Sequence, residues 1–306
     1  MDTAAHTLRE LKKTHNAIIM AHIYQRPEVQ DAADIVGDSY ELAVKASRAD
    51  AAVIVFCGVS FMAETAAILN PDKTVLMPNP AAGCPMADMI TPEALDKLKR
   101  QHPGVPVVCY VNSSAAVKAL SDVCCTSSNA VRIVRALTGD RVIFVPDKYL
   151  GDYVRRETGR DIILYNGYCP THVKIIPEQI SALKETHPAA EVLVHGETTR
   201  PVQALADHVM STGQMRDYVS ASASDEFIVG TETGILHTLS RANPRKRFYE
   251  ITPLAVCANM KKTTLAQVEK SLRTMTTPIH VPSDTAAGAR RAIERMIEIT
   301  EQSRPT

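Results

Sequence analysis

The 306-residue chain has no excess charge of either sign, with 34 basic and 34 acidic side chains and no basic block. That balance argues against a nucleic-acid groove or a surface for anionic membranes, and it points to a small-molecule partner. No apolar run approaches bilayer length, and the longest, AAVIVFCGV at 51–59, is far too short to span. The opening MDTAAHTLRELKKTHN carries charges where a secretory signal needs an apolar core, so the expected location is the cytosol. Seven cysteines, an odd number with no CxxC pair, disfavour a set of structural disulfides in that reducing compartment. They are core residues or ligands. The 45% hydrophobic content suits a soluble globular chain of two or three domains.

What the chain does have is repetition. Cys84 in GCPMADM, Cys169 in NGYCPTH and Cys257 in VCANMKK are 85 and 88 residues apart, and each follows a short apolar extended segment. Residues 18–39, 106–127 and 191–212 align without gaps at the same two offsets. His22, Tyr110 and His195 then correspond, as do Tyr24, Asn112 and Glu197, and Asp34, Asp122 and Asp207. Ser39, Ser127 and Thr212 form a fourth set.

Strand-length apolar runs (AIIMAH, AAVIVFCG, KTVLMP in the first unit) alternate with helical patterns, one of which, over Val29, Ala33 and Val36, takes in Asp34. Thr91 and Pro92 mark a helix start. Buried strands alternating with helices predict an α/β fold of three pseudo-threefold-related α/β/α sandwich units with small parallel sheets. The expected units are 1–86, 87–171 and 172–260. A closing segment, 261–306, with a short IHVP strand and a last helix, is expected to pack back on the first unit.

Sites in open parallel sheets lie at the carboxyl ends of strands. The pairs His22/Tyr24, Tyr110/Asn112 and His195/Glu197 fall there, two residues apart and so projecting to one side. A threefold axis would turn them inward as the active site. The hydroxyl turns GDS, CTS and MST are expected just before each second strand. One cysteine per unit at the axis makes a tripod of thiolates suited to zinc or an iron-sulfur cluster, with a coordination position left for substrate. Cys57, Cys109, Cys124 and Cys125 are expected to be core; Asp34, Asp122, Asp207, Glu64 and Glu232 structural; Lys261 and Lys262 a solvated helix start; His172 either pocket or packing.

AHIYQRPEVQDAADIVGDS, GVSFMAETAAILNPDK, CPMADM, YVNSSA with CTSSNAV, GYCPTH, STGQM and AVCANMKK together resemble the quinolinate synthase family over nearly the whole chain. The resemblance implies a three-domain fold with the active site on its axis, and a 4Fe-4S cluster on Cys84, Cys169 and Cys257. The implied reaction condenses iminoaspartate with dihydroxyacetone phosphate to quinolinate, losing phosphate and water, in NAD biosynthesis. An aspartate-oxidising enzyme would supply the imine. Tyr24, Tyr110, His195 and Glu197 become acid–base candidates, and His22, Ser39, Asn112, Ser127, Ser211 and Thr212 substrate-binding candidates. The family's AHNYQ reads AHIYQ here, with Ile23, and its HPEC reads HGET, with Gly196 and Thr198. Apart from the resemblance, a zinc lyase or aldolase on the same thiolates and an iron-sulfur redox protein are the rival readings.

Overall fold

The computed structural model describes residues 2–302. It holds three four-stranded, wholly parallel sheets. The first contains β1 (Ala17–His22), β2 (Ile35–Gly37), β3 (Val53–Cys57) and β4 (Thr74–Leu76). The second contains β5 (Val107–Tyr110), β6 (Val123–Cys125), β7 (Arg141–Val145) and β8 (Asp161–Leu164), and the third β9 (Glu191–His195), β10 (His208–Met210), β11 (Glu226–Gly230) and β12 (Arg247–Glu250). Each sheet runs second, first, third, fourth strand across. The chain changes winding direction between its first and third strands, which is where such sheets open a crevice. Ile19, Met20 and Ala21 of β1 and all of β5 are buried, as strands covered on both faces must be.

The helices of the first unit are α1 (Asp2–His15), α2 (Pro27–Ala32), α3 (Ser39–Ser47) and α4 (Ser60–Leu69). The second has α5 (Pro92–Gln101), started by Thr91 accepting from Ala94 N at 3.2 Å, then α6 (Ala115–Ala119), α7 (Ala130–Ala136) and α8 (Lys148–Thr158). The third has α9 (Pro177–Thr186), α10 (Arg200–Gln203), α11 (Thr212–Ala221) and α12 (Ile235–Ala242), before α13 (Leu265–Thr274) and α14 (Ser283–Gln302).

Three expectations change. The pattern of Val29, Ala33 and Val36 is a helix only as far as Ala32; Val36 lies in β2, one of three edge strands too short to print a period of their own. The matched aspartates therefore sit outside the helices. Asp34 accepts from Ile19 N at 2.8 Å, Asp122 from Val107 N at 2.7 Å and Asp207 from Val192 N at 2.7 Å, while each returns its own N–H to the same residue's carbonyl. They pin each edge strand to the first strand. The hydroxyl turns follow these edge strands, opening α3 and α11 and preceding α7.

The closing segment is divided. Its first helix, α13, lies on α1, α2 and β3. IHVP forms no strand; a single antiparallel bridge joins Pro278 to Leu76 of β4. The last helix, α14, packs chiefly on α6, β6 and α7 and also reaches α4, so it ties the second unit to the first instead of resting on the first alone.

Candidate active site

His22, Tyr110 and His195 end the first strand of the three sheets. Just beyond, the chain turns back so that Tyr24 N donates to His22 Nδ1 and Glu197 N to His195 Nδ1, both at 3.2 Å. A glutamine clamps each turn from below. Gln30 Nε2 donates to Ile23 O and Gln25 O at 2.9 Å, and Gln203 Nε2 to Gly196 O at 2.9 Å and Thr198 O at 2.7 Å. Ile23, Gly196 and Thr198, the three family departures, all enter these clamps through backbone carbonyls, so the clamp bonds do not depend on the side chains that differ.

The three strand ends face one cavity. Its walls carry His22, Tyr24, Ser39, Tyr110, Asn112, Ser127, His195, Glu197 and Thr212, together with Cys84, Cys169 and Cys257. Ser211 stands behind the wall as the cap of α11, accepting from Gln214 N at 3.2 Å, with its hydroxyl 3.5 Å from the Asp38 carboxylate. All seven cysteines are free thiols, and Cys57, Cys109, Cys124 and Cys125 are buried core.

The polar groups form a connected chain. Tyr110 donates to Glu197 Oε1 at 2.5 Å, and Asn112 Nδ2 to the same oxygen at 3.3 Å. His172 Nδ1 lies 2.8 Å from Glu197 Oε2 and its Nε2 lies 2.8 Å from Thr231 Oγ1, which in turn meets the Tyr24 hydroxyl. His195 Nε2 reaches Ser127 Oγ at 3.1 Å. Because their Nδ1 atoms accept from backbone amides, neutral His22 and His195 carry the proton on Nε2.

Burial keeps both imidazoles neutral, lowering His22 to about 3 and His195 to about 4. Burial alone would raise Glu197, but the neighbouring imidazoles of His172 and His195 and the hydrogen bonds from His172 and Tyr110 outweigh it, holding the carboxyl below its usual range. Burial and then the Glu197 charge push Tyr24 and Tyr110 well above an ordinary phenol, so both are O–H donors.

Each cavity cysteine opens a tight turn leading to a short 3-10 segment, Ala87–Met89, His172–Lys174 or Met260–Lys262. Paired amides in those turns point back at sulfur: Met86 and Ala87 at Cys84, Thr171 and His172 at Cys169, Asn259 and Met260 at Cys257. Burial nevertheless pushes the Cys84 thiol up to about 12 and raises Cys169 and Cys257. Neutral thiols have little use for such donors, whereas thiolates held by a cationic iron-sulfur centre do; the donor set therefore fits a cluster. Cys169, His172 and Glu197 also bring ligand atoms within 4.8 Å of one another.

Sequence reasoning underrated several residues. His172 belongs to the pocket. Glu232 also lines it; its Oε1 accepts from Cys257 N at 3.1 Å and pairs with Lys261 Nζ at 2.9 Å. Lys261 further donates to Tyr24 O, so it is no solvated helix start. Thr231 gave no signal, because its counterparts are not hydroxyl residues.

The repeat, the cysteine turns and the donor chain coincide with a known family. Residues 6–298 match the family described as NadA, quinolinate synthetase A protein. A quinolinate synthase of Dehalococcoides mccartyi is 56% identical over 295 residues, 96% of this chain and 98% of its own. Those of Methanoregula boonei (54% over 289 residues, 94% and 96%) and Geotalea uraniireducens (51% over 298 residues, 97% and 98%) are similarly close. With likeness at this level from end to end, and the triplicated cysteines meeting in one cavity, the chain belongs to the quinolinate synthetase A family.

Proposed function

We propose that the chain is a quinolinate synthase of NAD biosynthesis, condensing iminoaspartate with dihydroxyacetone phosphate to quinolinate with loss of phosphate and water. The observation that carries the reading is the meeting of Cys84, Cys169 and Cys257 in the cavity that also holds the donor chain. These three cysteines would hold a 4Fe-4S cluster, which supplies a Lewis-acidic iron for the departure of a hydroxyl.

The remaining chemistry belongs to the side chains. The Nε2–H groups of His22 and His195, with the hydroxyls of Ser39, Ser127 and Thr212 and the amide of Asn112, give neutral donors for two carboxylates and a phosphate. Ser211 acts at second hand by fixing the turn that presents Thr212. Tyr24 and Tyr110, protonated, serve as acids. Glu197, ionised, serves as base, and His172 and Thr231 pass protons between it and Tyr24. Among the described residues no helix is long and apolar enough to cross a membrane. The enzyme would work in the cytosol, where an aspartate-oxidising partner would supply the imine.

Iron, acid-labile sulfide and quinolinate formation, measured on protein purified without oxygen, test the proposal. About four iron and four sulfide per chain are expected, lost in Cys169→Ser together with activity. About one zinc and no sulfide would replace this reading with a zinc lyase on the same thiolates or on Cys169, His172 and Glu197.

A further inference from the structure

The three hydroxyl turns share a holding device. In each unit the residue before the cavity hydroxyl has its backbone N–H captured by a side chain three positions on. Asp38 N donates to Glu41 Oε2 at 3.2 Å, Thr126 N to Asn129 Oδ1 at 2.7 Å and Ser211 N to Gln214 Oε1 at 2.8 Å. In the first and third units this capture is half of a reciprocal capping box, which sets the first turn of α3 and α11 and hence the direction of Ser39 and Thr212, while in the second unit Asn129 holds the turn that presents Ser127 from one side only.

Each capturing side chain is in turn gripped from outside its own unit. Arg216 on α11 of the third unit binds Glu41 with both terminal nitrogens, at 3.1 and 2.8 Å. Gln214 Nε2 lies 3.5 Å from Ser128 O in the second unit. Asn129 Nδ2 donates to Thr300 Oγ1 of α14 at 3.0 Å, and Arg132 holds Thr300 O at 3.0 Å. Asn129 and Thr300 are both buried. A Cβ on Gly213 would come 2.6 Å from Asp38 Oδ2, so the first and third turns approach as closely as a glycine allows.

We infer that Arg216 and Thr300 are positioning residues: they act through Glu41 and Asn129 to aim Ser39 and Ser127 at an anionic substrate group, so that the binding wall is set only when neighbouring elements are docked. Neither residue lines the cavity. The inference rests on the proposed function for its substrate, but the wall itself can be probed with inorganic phosphate.

The test uses the cluster-loaded enzyme and its Arg216→Ala, Thr300→Ala and Thr300→Ser variants. Phosphate binding is followed by calorimetry, the KM for dihydroxyacetone phosphate and kcat by quinolinate formation, and Tm by thermal melting. Losing one charged or buried hydrogen bond that orients a donor should weaken phosphate about fivefold or more and raise KM in parallel. The expectation is that kcat stays within about twofold, as for interactions that bind without entering the chemical step. Thr300→Ser, which keeps the hydroxyl, should restore both values. A lowered Tm with unchanged phosphate affinity and KM would make the contacts merely structural and overturn the inference, as would a wild type that binds no phosphate. A wild type that makes no quinolinate yet loses phosphate affinity in the variants would sink the function and leave the positioning role standing.

Discussion

Tyr110 and Glu197 meet across the boundary of the second and third units, the phenol donating to Oε1 at 2.5 Å. They occupy different positions of the repeat, so a contact between strand ends that the alignment treats as equivalent becomes a directed donor–acceptor pair. Tyr110→Phe removes a donor that helps keep the carboxyl ionised, and Glu197→Gln removes the charge. Each should lower quinolinate formation on the order of 100-fold or more, the usual contribution of a positioned acid or base. Iron content should stay at the wild-type level. Retention of activity within threefold in both variants would exclude this carboxylate as the proton acceptor.

The two neutral histidines predict a pH dependence. His22 and His195 sit at about 3 and about 4 in the folded chain against an ordinary value of 6.5. On acidification the unfolded chain takes up these protons first, so stability present above pH 6.5 is lost as pH falls from 6.5 through 4 and on towards 3. The lowered carboxyl of Glu197 adds to the loss only below its ordinary 4.5. Thermal melts of the wild type should fall across pH 6.5 to 4.5, and His195→Asn should flatten that slope. An equally steep fall in the variant would show the proton uptake to lie elsewhere.

The aspartate pins carry stability, not chemistry. Asp122→Ala or Asp207→Ala leaves a strand N–H without its acceptor and should cost about 1–3 kcal/mol in urea unfolding. Asp96→Ala, which breaks only the exposed 3.3 Å pair with Arg100, should stay within about 0.5 kcal/mol. Equal losses at the two kinds of site would remove the special place given to the pins.

Lys118 is the middle unit's counterpart of Gln30 and Gln203, yet it is fully buried, with Nζ 3.2 Å from Phe61 O and 2.9 Å from Thr65 Oγ1. Burial lowers its pKa. The folded chain therefore holds this proton less tightly than the unfolded one, and stability is lost as pH falls below about 10.4. Lys118→Met should melt at or above the wild type at pH 7, with the gap narrowing towards pH 10. A Met variant well below the wild type at pH 7 would mean that the ammonium is a net stabiliser.

How far the sequence spoke depends on what kind of signal each feature leaves. The register of Cys84, Cys169 and Cys257 and the matched positions at the strand ends can be read as correspondences at fixed offsets, and they converge in the structure. The edge strands at Ile35–Gly37, Val123–Cys125 and His208–Met210 are three residues each, shorter than any period, so the helical pattern was read straight through Asp34 and its counterparts. Helices α3 and α11 open directly from the hydroxyl turns and α7 just after one, and Ser211, expected to bind substrate, proves to be the cap of α11. Thr231, Glu232 and Lys261 act through contacts with Tyr24, His172 and Cys257 that come from elsewhere in the chain, which no local pattern records.

The repeat is kept in the cysteines and the hydroxyl turns and broken at the strand ends, where the acid–base groups stand. Three cysteines with matching amide turns present the same face from every unit, while the wall reads His, Tyr, His at one level and Tyr, Asn, Glu at the next. A wall as symmetric as the tripod would offer a bound molecule three interchangeable orientations, two of them idle. Divergence of the ring above an unchanged base gives the cavity a single handedness, so two dissimilar molecules entering it have one way to face each other.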